Sequence, residues 1–415
     1  MSPAANSPQK LKTSLLIRIF VPFAMGYFLS YLFRTVNAVI SPDLVRDVGL
    51  DASSLGLLTS TYFLTFALFQ LPLGVLLDKY GPRLTEAALL LFAAAGAAVF
   101  ALAETEAGLL VGRALIGFGV SACLMAAFKA FVDWFPADKL PLTNGIQMAS
   151  GGLGALVATT PVQAALQITD WRGVFLVLAG MTLLVAIAVF VMVPDKEKSG
   201  PASSLSDQVE GLKGIFKSSL FWKIAPLTVA SQSSFIAIQS LWAGPWLRDV
   251  ARLERGDAAD ILFIAAGGMV AGFLGMGGLT VRLGRVGITP MSIVVVSLSI
   301  FIVAQLAVIA EWTGGLALLW GAFGFFGSTG IITYAALSQQ FPAHLAGRLN
   351  TSLNLLVFIA SFIFQWAIGA IIDIWPQSAT GGYHPMGFKV AFGVLALLQA
   401  LAISWYLLPS KKPAS

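Results

Sequence analysis

Apolar residues run through this chain in long, nearly uninterrupted stretches, separated by short polar segments. A helix needs roughly 20 apolar residues, at about 1.5 Å of rise per residue, to cross the hydrocarbon core of a bilayer. Strands of a membrane barrel would instead alternate over about ten residues. The pattern therefore predicts an all-α membrane protein with twelve transmembrane helices, named spans 1 to 12 in chain order. They are predicted at 15–40, 54–77, 84–103, 108–135, 140–166, 171–193, 222–247, 259–281, 289–310, 314–341, 346–374 and 387–408.

The composition supports a membrane protein. Hydrophobic residues make up 57% of the 415 residues and charged residues only 11%, whereas about 25% of residues are charged in soluble domains. The net charge of +5 is small and spread over the loops, which argues against a nucleic-acid partner. The single cysteine, Cys123, excludes an intrachain disulfide. The composition thus predicts the lipid bilayer as the main environment of the chain.

The basic residues predict the orientation of the chain. Most of the 25 Lys and Arg residues fall on one side if the N-terminus is cytoplasmic, as the positive-inside rule requires. The arginines within 248–255 fall on the other side and do not fit. We expect a monomeric, multi-pass protein of the bacterial inner membrane with both termini in the cytoplasm. Its predicted segments are a tail at 1–14, a six-helix bundle at 15–193, a central loop at 194–221, a second six-helix bundle at 222–408 and a tail at 409–415.

The two halves contain similar short sequences in the same order. GVLLDKYGPR at 74–83 aligns with GGLTVRLGRV at 277–286, and FPADKLPLTN at 135–144 aligns with FPAHLAGRLN at 341–350. Such repeats predict two pseudo-symmetric six-helix bundles. Two related bundles around a central site are a recognised architecture for transport by alternating access. We therefore expect a small-molecule substrate.

Three motifs give the chain a specific resemblance. GVLLDKYGPR at 74–83 resembles the helix 2–3 signature of the major facilitator superfamily, RALIGFGVS at 113–121 its helix 4 motif, and DWRGVF at 170–175 the start of its helix 6. The resemblance implies a cavity lined most closely by spans 1, 4, 7 and 10, with spans 3, 6, 9 and 12 facing lipid. It also implies gating or coupling roles for Gly74, Asp78, Gly81, Arg83 and Arg113. The alternative is that Asp78 and Arg83 only cap helix ends.

Arg34 lies inside span 1, where a charge is costly unless it faces a cavity or a partner. Residues at helical spacing around it predict one polar stripe, made of Tyr27, Tyr31, Arg34 and Asn37. A guanidinium flanked by phenols and an amide suits a carboxylate, sulfonate or phosphate. YLFRTVN also resembles helix 1 of the organophosphate and organic-anion branches of that superfamily, which implies that Arg34 contacts the anion. A structural arginine bonded to neighbouring carbonyls is the alternative.

Further polar positions complete the predicted site. Lys129 in span 4 is either a second cationic contact or the partner of Asp133, one turn later. The second half offers only neutral side chains, of which Gln239, Tyr334 and Asn354 are candidate contacts. These three could equally form hydrogen bonds between helices. A cationic first half facing a neutral second half suits a monoanionic organic substrate.

The acidic residues limit the mechanism. No Asp or Glu lies in the middle of a predicted span, and Glu86 falls near a span end. Proton-coupled carriers usually need a buried acid or histidine. We therefore expect secondary active or facilitative transport of a small organic anion, by exchange, uniport or coupling through the substrate's own charge. The alternative, an efflux carrier for amphipathic or drug-like compounds, predicts that Arg34 is dispensable. The sequence contains no nucleophile motif, phosphate loop or metal-binding cluster, so we expect neither an enzyme nor a cofactor.

Overall fold

The computed structural model describes residues 13–136, 139–195, 205–341, 346–377 and 382–409. Parts of the predicted tails and of the predicted loop at 194–221 lie outside the described residues. In chain order the helices are α1 Thr13–Thr35, α2 Asn37–Val48, α3 Ala52–Leu102, α4 Glu106–Gly119, α5 Cys123–Trp134, α6 Leu140–Val157, α7 Thr160–Ala165, α8 Trp171–Met192, α9 Leu205–Phe216, α10 Ser219–Ala237, α11 Ala243–Asp249, α12 Arg255–Gly284, α13 Pro290–Ile309, α14 Leu316–Gly327, α15 Ile331–Ser338, α16 Ala346–Ile372 and α17 Pro385–Leu407.

These helices form the twelve predicted spans. By length and apolarity, eight helical segments of the described chain could each cross a membrane, or nine if α1 and α2, which meet at a 48° bend, form one span. The segment α3 contains spans 2 and 3, because Gly81 interrupts it. Spans 5 and 7 are broken helices, α6–α7 and α10–α11, the latter joined by a π-helical turn. Spans 4 and 10 are α4–α5 and α14–α15, and spans 6, 8, 9, 11 and 12 are α8, α12, α13, α16 and α17.

Short connections between spans follow from local sequence signals. The Asp51 carboxylate accepts a hydrogen bond from the Ser54 N–H at 2.7 Å and so caps the start of α3. Asp170 caps α8 in the same way, through the Gly173 N–H at 2.8 Å. Gly81 has a φ of 80°, a left-handed conformation that glycine adopts without steric cost. These features let the chain reverse direction within a few residues.

Spans 3, 6, 9 and 12 form the outer layer of the molecule. Large apolar side chains are exposed on each of them, for example Leu91, Leu184, Val303 and Leu401. Exposed apolar surface of this extent is typical of contact with membrane lipid. The remaining eight spans surround the centre.

The two halves meet along three pairs of spans, which are spans 1 and 7, spans 2 and 11, and spans 5 and 8. Gly244 of span 7 lies against the backbone of span 1, so that a Cβ at this position would overlap the Ala38 carbonyl oxygen. Gly369 of span 11 lies equally close to the Ala52 carbonyl oxygen of span 2. Glycine at these crossings lets the helix backbones touch.

Polar contacts reinforce these crossings at one end of the molecule, here called the Asp43 end. The opposite end, at the turn between spans 2 and 3, is called the Asp78 end. Arg255 of span 8 binds the Asp43 carboxylate through both terminal nitrogens, with Nη1 at 3.0 Å. Arg248 donates a hydrogen bond to the Ser41 hydroxyl at 3.2 Å. Two of the three arginines of 248–255 that did not fit the charge bias, Arg248 and Arg255, therefore join the two halves.

Spans 2 and 11 are tied together at the same end. The Asp373 carboxylate accepts hydrogen bonds from the backbone N–H groups of Ala52 and Ser53, at 3.1 and 2.6 Å. Partial burial raises the pKa of this carboxyl, while the two backbone bonds act in the opposite direction. Thr160 of span 5 also donates to Asp260 of span 8 at 2.8 Å. All three pairs of spans are thus closed at the Asp43 end.

Candidate functional site

A cavity of about 690 Å³ lies between the two halves. Its described lining comes from spans 1, 2, 4, 5, 7, 8, 10 and 11 and contains no residue of spans 3, 6, 9 or 12. This arrangement is the one that the family resemblance implied. Near the Asp78 end the lining includes Phe128, Asn144, Ser338 and Asn350, which lie close to the ends of four different spans. The cavity is therefore closed at the Asp43 end and reaches the Asp78 end.

Arg34 lies in the wall of this cavity and is 7% exposed. Its guanidinium carbon is surrounded by aromatic rings, at 4.3 Å from the ring centroid of Tyr31, 5.2 Å from Phe358, 5.7 Å from Phe66 and 5.9 Å from Tyr62. Cations are attracted to aromatic ring faces at such distances. Among the described lining residues, Arg34 is the only one that carries a charge.

The charge of Arg34 is only partly compensated. None of the ion pairs between described residues includes Arg34, and its buried Nε has no hydrogen-bond partner among them. Aromatic rings stabilise a guanidinium less than a bidentate carboxylate does. An anion that enters the cavity would therefore find an available cation.

The other residues of the predicted polar stripe do not all line the cavity. Tyr27 and Tyr31 both line the cavity, and their rings pack edge to face at a centroid distance of 5.1 Å. Asn37 does not line the cavity, because it follows the bend between α1 and α2 and donates to the Thr59 hydroxyl at 2.8 Å. The expectation that the stripe continues to Asn37 is wrong, since it assumed a straight helix.

Lys129 also differs from its predicted position. It lies outside the described cavity lining, and its Nζ forms an ion pair with Asp78 at 2.7 Å. Both side chains are about one-third exposed, at 35% each. Lys129 is thus bound to the acid of the helix 2–3 motif, whereas the sequence suggested a substrate contact or a pair with Asp133.

The three predicted contacts of the second half, Gln239, Tyr334 and Asn354, all line the cavity. The Tyr334 hydroxyl donates to Asn354 Oδ1 at 3.3 Å. Gln239 lies at the π-helical turn of span 7 and lines the cavity from the second half. This wall presents amides and hydroxyls, which can bind the neutral polar part of a substrate.

The helix 2–3 motif is at the Asp78 end. Gly74 lies one helical turn before Asp78, and Gly81 forms the left-handed turn. Arg83 donates from Nε to the Phe190 carbonyl at 2.8 Å and lies 3.6 Å from the Asp195 carboxylate. These contacts connect the start of span 3 to the end of span 6, within the first half.

Arg113 lies in span 4 and is fully buried. Its guanidinium carbon is 5.2 Å from the ring centroid of Tyr62, which also faces Arg34. The Tyr62 hydroxyl donates to the Ser30 carbonyl at 3.1 Å. One tyrosine thus lies between the motif arginine and the cavity arginine. Tyr62 is not among the site residues predicted from the sequence, although a tyrosine inside span 2 is a detectable polar position.

One further residue has surroundings that the sequence did not predict. Glu86 was expected near a span end, but its side chain is fully buried, against Gly26 of span 1 and Cys123 of span 4. Neither carboxylate oxygen has a hydrogen-bond partner among the described residues. Glu86 does lie near the end of span 3, but its burial was not predicted from the sequence.

Comparisons with known proteins agree with this architecture. A probable sulfoacetate transporter of Cupriavidus necator is 24% identical over 383 residues, which cover 87% of this chain and 88% of that protein. A hexuronate transporter of Escherichia coli is 23% identical, over 93% of this chain and 92% of its own length. Both are similar to this chain over nearly their whole length.

Solved structures share the fold. An inward-facing, unoccupied structure of a bacterial homologue of the human lysosomal transporter Spinster matches with a TM-score of 0.73 at 16% identity, over 95% of this chain and 97% of that one. A nucleoside transporter structure matches with a TM-score of 0.75 at 11% identity, over 96% and 100%. The family model described as Major Facilitator Superfamily matches residues 23–365. The chain therefore belongs to the major facilitator superfamily and is a multi-pass membrane transporter.

Proposed function

We propose that this protein carries a small organic monoanion across the inner membrane of a bacterium by alternating access, and that Arg34 binds the anionic group. The single charge of the described cavity lining supports this proposal. The relatives named above transport sulfoacetate and hexuronates according to their names. A hexuronate carries one carboxylate, and sulfoacetate carries a carboxylate and a sulfonate. The protein would act as a monomer, with one cavity per chain.

The orientation is proposed from the charge distribution. The basic residues at the Asp78 end, including Lys79, Arg83, Lys139 and Arg282, favour a cytoplasmic position for that end. Both termini would then be cytoplasmic, and the Asp43 end would face the periplasm. The bundles would span 15–193 and 222–408, with the tails 1–14 and 409–415 and the central loop 194–221 in the cytoplasm.

Each wall of the cavity has its own proposed role. Arg34 would form charge-assisted hydrogen bonds with the carboxylate, sulfonate or phosphate of the substrate. Tyr27 and Tyr31 would pack against the substrate beside the guanidinium. Gln239, Tyr334 and Asn354 would bind its neutral polar groups. This division favours a monoanion, because a second negative charge would find no cation among the described lining residues.

Gating is proposed from contacts at the two ends. At the Asp43 end, the pair Arg255–Asp43 and the crossing at Gly244 would have to open before substrate exchange with the periplasm. At the Asp78 end, Gly74, Asp78, Gly81 and Arg83 would take part in closure, together with Lys129, which binds Asp78 in the present conformation. Arg113 would connect this motif region to the site through Tyr62.

A thermal-shift screen of the purified protein tests the proposal. The compounds are organic carboxylates, sulfonates, phosphate esters and lipophilic cations, each measured with the wild type, Arg34→Ala and the matched control Arg285→Ala, whose side chain is exposed. The proposal predicts stabilisation by one class of anion that is lost in Arg34→Ala alone. Stabilisation by lipophilic cations that is unchanged in Arg34→Ala would contradict it and would favour a carrier of amphipathic compounds.

A further inference from the structure

Glu86 is a buried acid that the proposed transport function does not use. It lies in span 3, one turn after the Gly81 reversal, and its side chain is fully buried. Its carboxylate reaches across to span 1, where a Cβ at Gly26 would overlap Oε1. The same position would be 3.7 Å from the Cys123 sulfur of span 4. The carboxyl group thus occupies the junction of three helices.

The surroundings of this carboxyl contain little that could stabilise a negative charge. Span 1 presents Gly26, which has no side chain, and span 4 presents the Cys123 thiol, which is a weak donor. Neither oxygen accepts a hydrogen bond from a described residue, and no ion pair between described residues includes Glu86. An ionised carboxylate is strongly disfavoured in such a site, whereas the neutral acid is tolerated.

Glu86 also lies directly behind the wall of the cavity. Gly26 and Cys123, which contact it, are followed in the chain by Tyr27 and Leu124, which both line the cavity. Arg34 lies about two helical turns after Gly26 on the same helix and lines the same cavity. One layer of side chains therefore separates the buried acid from the cavity that contains the cation proposed to bind the substrate.

We infer that Glu86 is a proton-binding site, and that its proton and the organic anion at Arg34 bind cooperatively. This inference rests on the proposed function. Without substrate, the positive charge of Arg34 favours loss of the Glu86 proton to water in the cavity. A bound anion neutralises Arg34 and so favours the protonated acid. By linkage, the proton then favours binding of the anion to the same degree.

The stoichiometry that follows is one proton for each monoanion. The proton adds one positive charge and the substrate one negative charge, so the loaded carrier has the same net charge as the empty, deprotonated one. Movement of the anion would then be driven by a proton gradient. This inference departs from the expectation of exchange, uniport or coupling through the substrate's own charge, which rested on the absence of Asp and Glu from the middle of every predicted span.

Infrared spectroscopy tests the proton site without any substrate. A neutral carboxyl group has a separate C=O stretching band, and the purified protein is measured from acidic to alkaline pH. We expect a band at neutral pH that disappears on alkalinisation in the wild type and in Glu104→Gln, the matched control at an exposed acid. The band should be absent from Glu86→Gln. A spectrum in which Glu86→Gln retains the wild-type band at every pH would overturn the inference.

Substrate affinity as a function of pH tests the coupling. Galacturonate, which carries a single carboxylate, serves as the probe. In the wild type, the Kd should rise by up to about tenfold per pH unit in the range where the infrared band disappears, whereas in Glu86→Gln it should not vary with pH. An equal pH dependence in both proteins would overturn the coupling. If no organic anion binds the wild type, the proposed function fails, while the infrared measurement still decides whether Glu86 holds a proton.

If Glu86→Gln does not fold, the coupling can be tested on the wild type alone by measuring the infrared band with and without the anion. The pH at which the band disappears should then shift upward when a saturating anion is present, because the bound anion holds the proton in place. An unchanged titration of the band with and without the anion would overturn the coupling.

Discussion

The guanidinium carbon of Arg34 lies 5.2 Å from the ring centroid of Phe358, so a side chain of the second half covers the cation of the first half. Phe358 also packs on Phe66 at a centroid distance of 4.4 Å. These two contacts join spans 1, 2 and 11 in the wall of the cavity. A substrate bound at Arg34 would therefore contact both halves, which is what alternating access requires of a central site.

The crossing at Gly244 offers a test of how the Asp43 end closes. Gly244→Leu should open this end, because the added side chain overlaps the Ala38 carbonyl of span 1 and overpacking of this kind costs about 1–3 kcal/mol. Spin labels on opposite halves report the distance across the end, and Cys123 interferes little because it is buried. The control is Gly180→Leu, since a Cβ at Gly180 meets no atom within 4 Å. Equal spin-label distances in Gly244→Leu and Gly180→Leu would show that the crossing at Gly244 does not hold this end closed.

The ion pair Arg255–Asp43 should stabilise the same closed end. Its arginine is 38% exposed and its aspartate only 8%, so we expect about 1–2 kcal/mol, between the values for exposed and buried pairs. Asp43→Asn should shift the label distances toward the open form. The exchanged pair Asp43→Arg with Arg255→Asp should restore much of the closed population. If the double variant is as open as the single one, the pair is not the cause.

The changed position of Lys129 leads to a third prediction. Lys129→Met should leave the Kd of the organic anion within about twofold of the wild type, because Lys129 is bound to Asp78 and lies outside the cavity lining. It should instead slow transport in proteoliposomes, since it removes an ion pair of the motif acid Asp78. Lys129→Arg is the conservative control. A loss of affinity of tenfold or more in Lys129→Met would restore the direct contact that the sequence suggested.

The neutral wall of the cavity can be tested at Tyr334. Tyr334→Phe removes a hydroxyl that lines the cavity and donates to Asn354, and a hydrogen bond of this kind contributes about 1 kcal/mol. We expect roughly fivefold weaker binding of galacturonate, which has several hydroxyl groups, and little change for a monocarboxylate that has no hydroxyl group. Tyr406→Phe, at the end of span 12, is the control. An equal loss for both compounds would assign Tyr334 a general structural role.

The sequence predicted the number of spans because each apolar run must match the thickness of a bilayer. It did not predict the geometry that breaks them. The bend after Thr35 turns Asn37 toward Thr59, although a straight helix would have kept Asn37 on the stripe of Arg34. The π-helical turn at Ile238–Trp242 has no signal in the local pattern.

Long-range neighbours explain the other differences. Phe358 contacts Arg34 from a distant part of the chain, and periodicity along one helix carries no information about such contacts. Glu86 is close to a span end in sequence, yet it is buried because small residues on two other spans leave room for it. Tyr27, Tyr31 and Arg34 were predicted together because helical spacing alone brings them to one face.

The preference of the protein for a charged over an uncharged form of the substrate tests the role of Arg34 most directly. The anion identified by the screen and its neutral amide are titrated against the wild type, Arg34→Lys and Arg34→Ala. If Arg34 binds the anionic group, the wild type prefers the anion by at least about tenfold, Arg34→Lys retains part of this preference, and Arg34→Ala binds both compounds equally. A preference for the anion that is undiminished in Arg34→Ala would contradict the account.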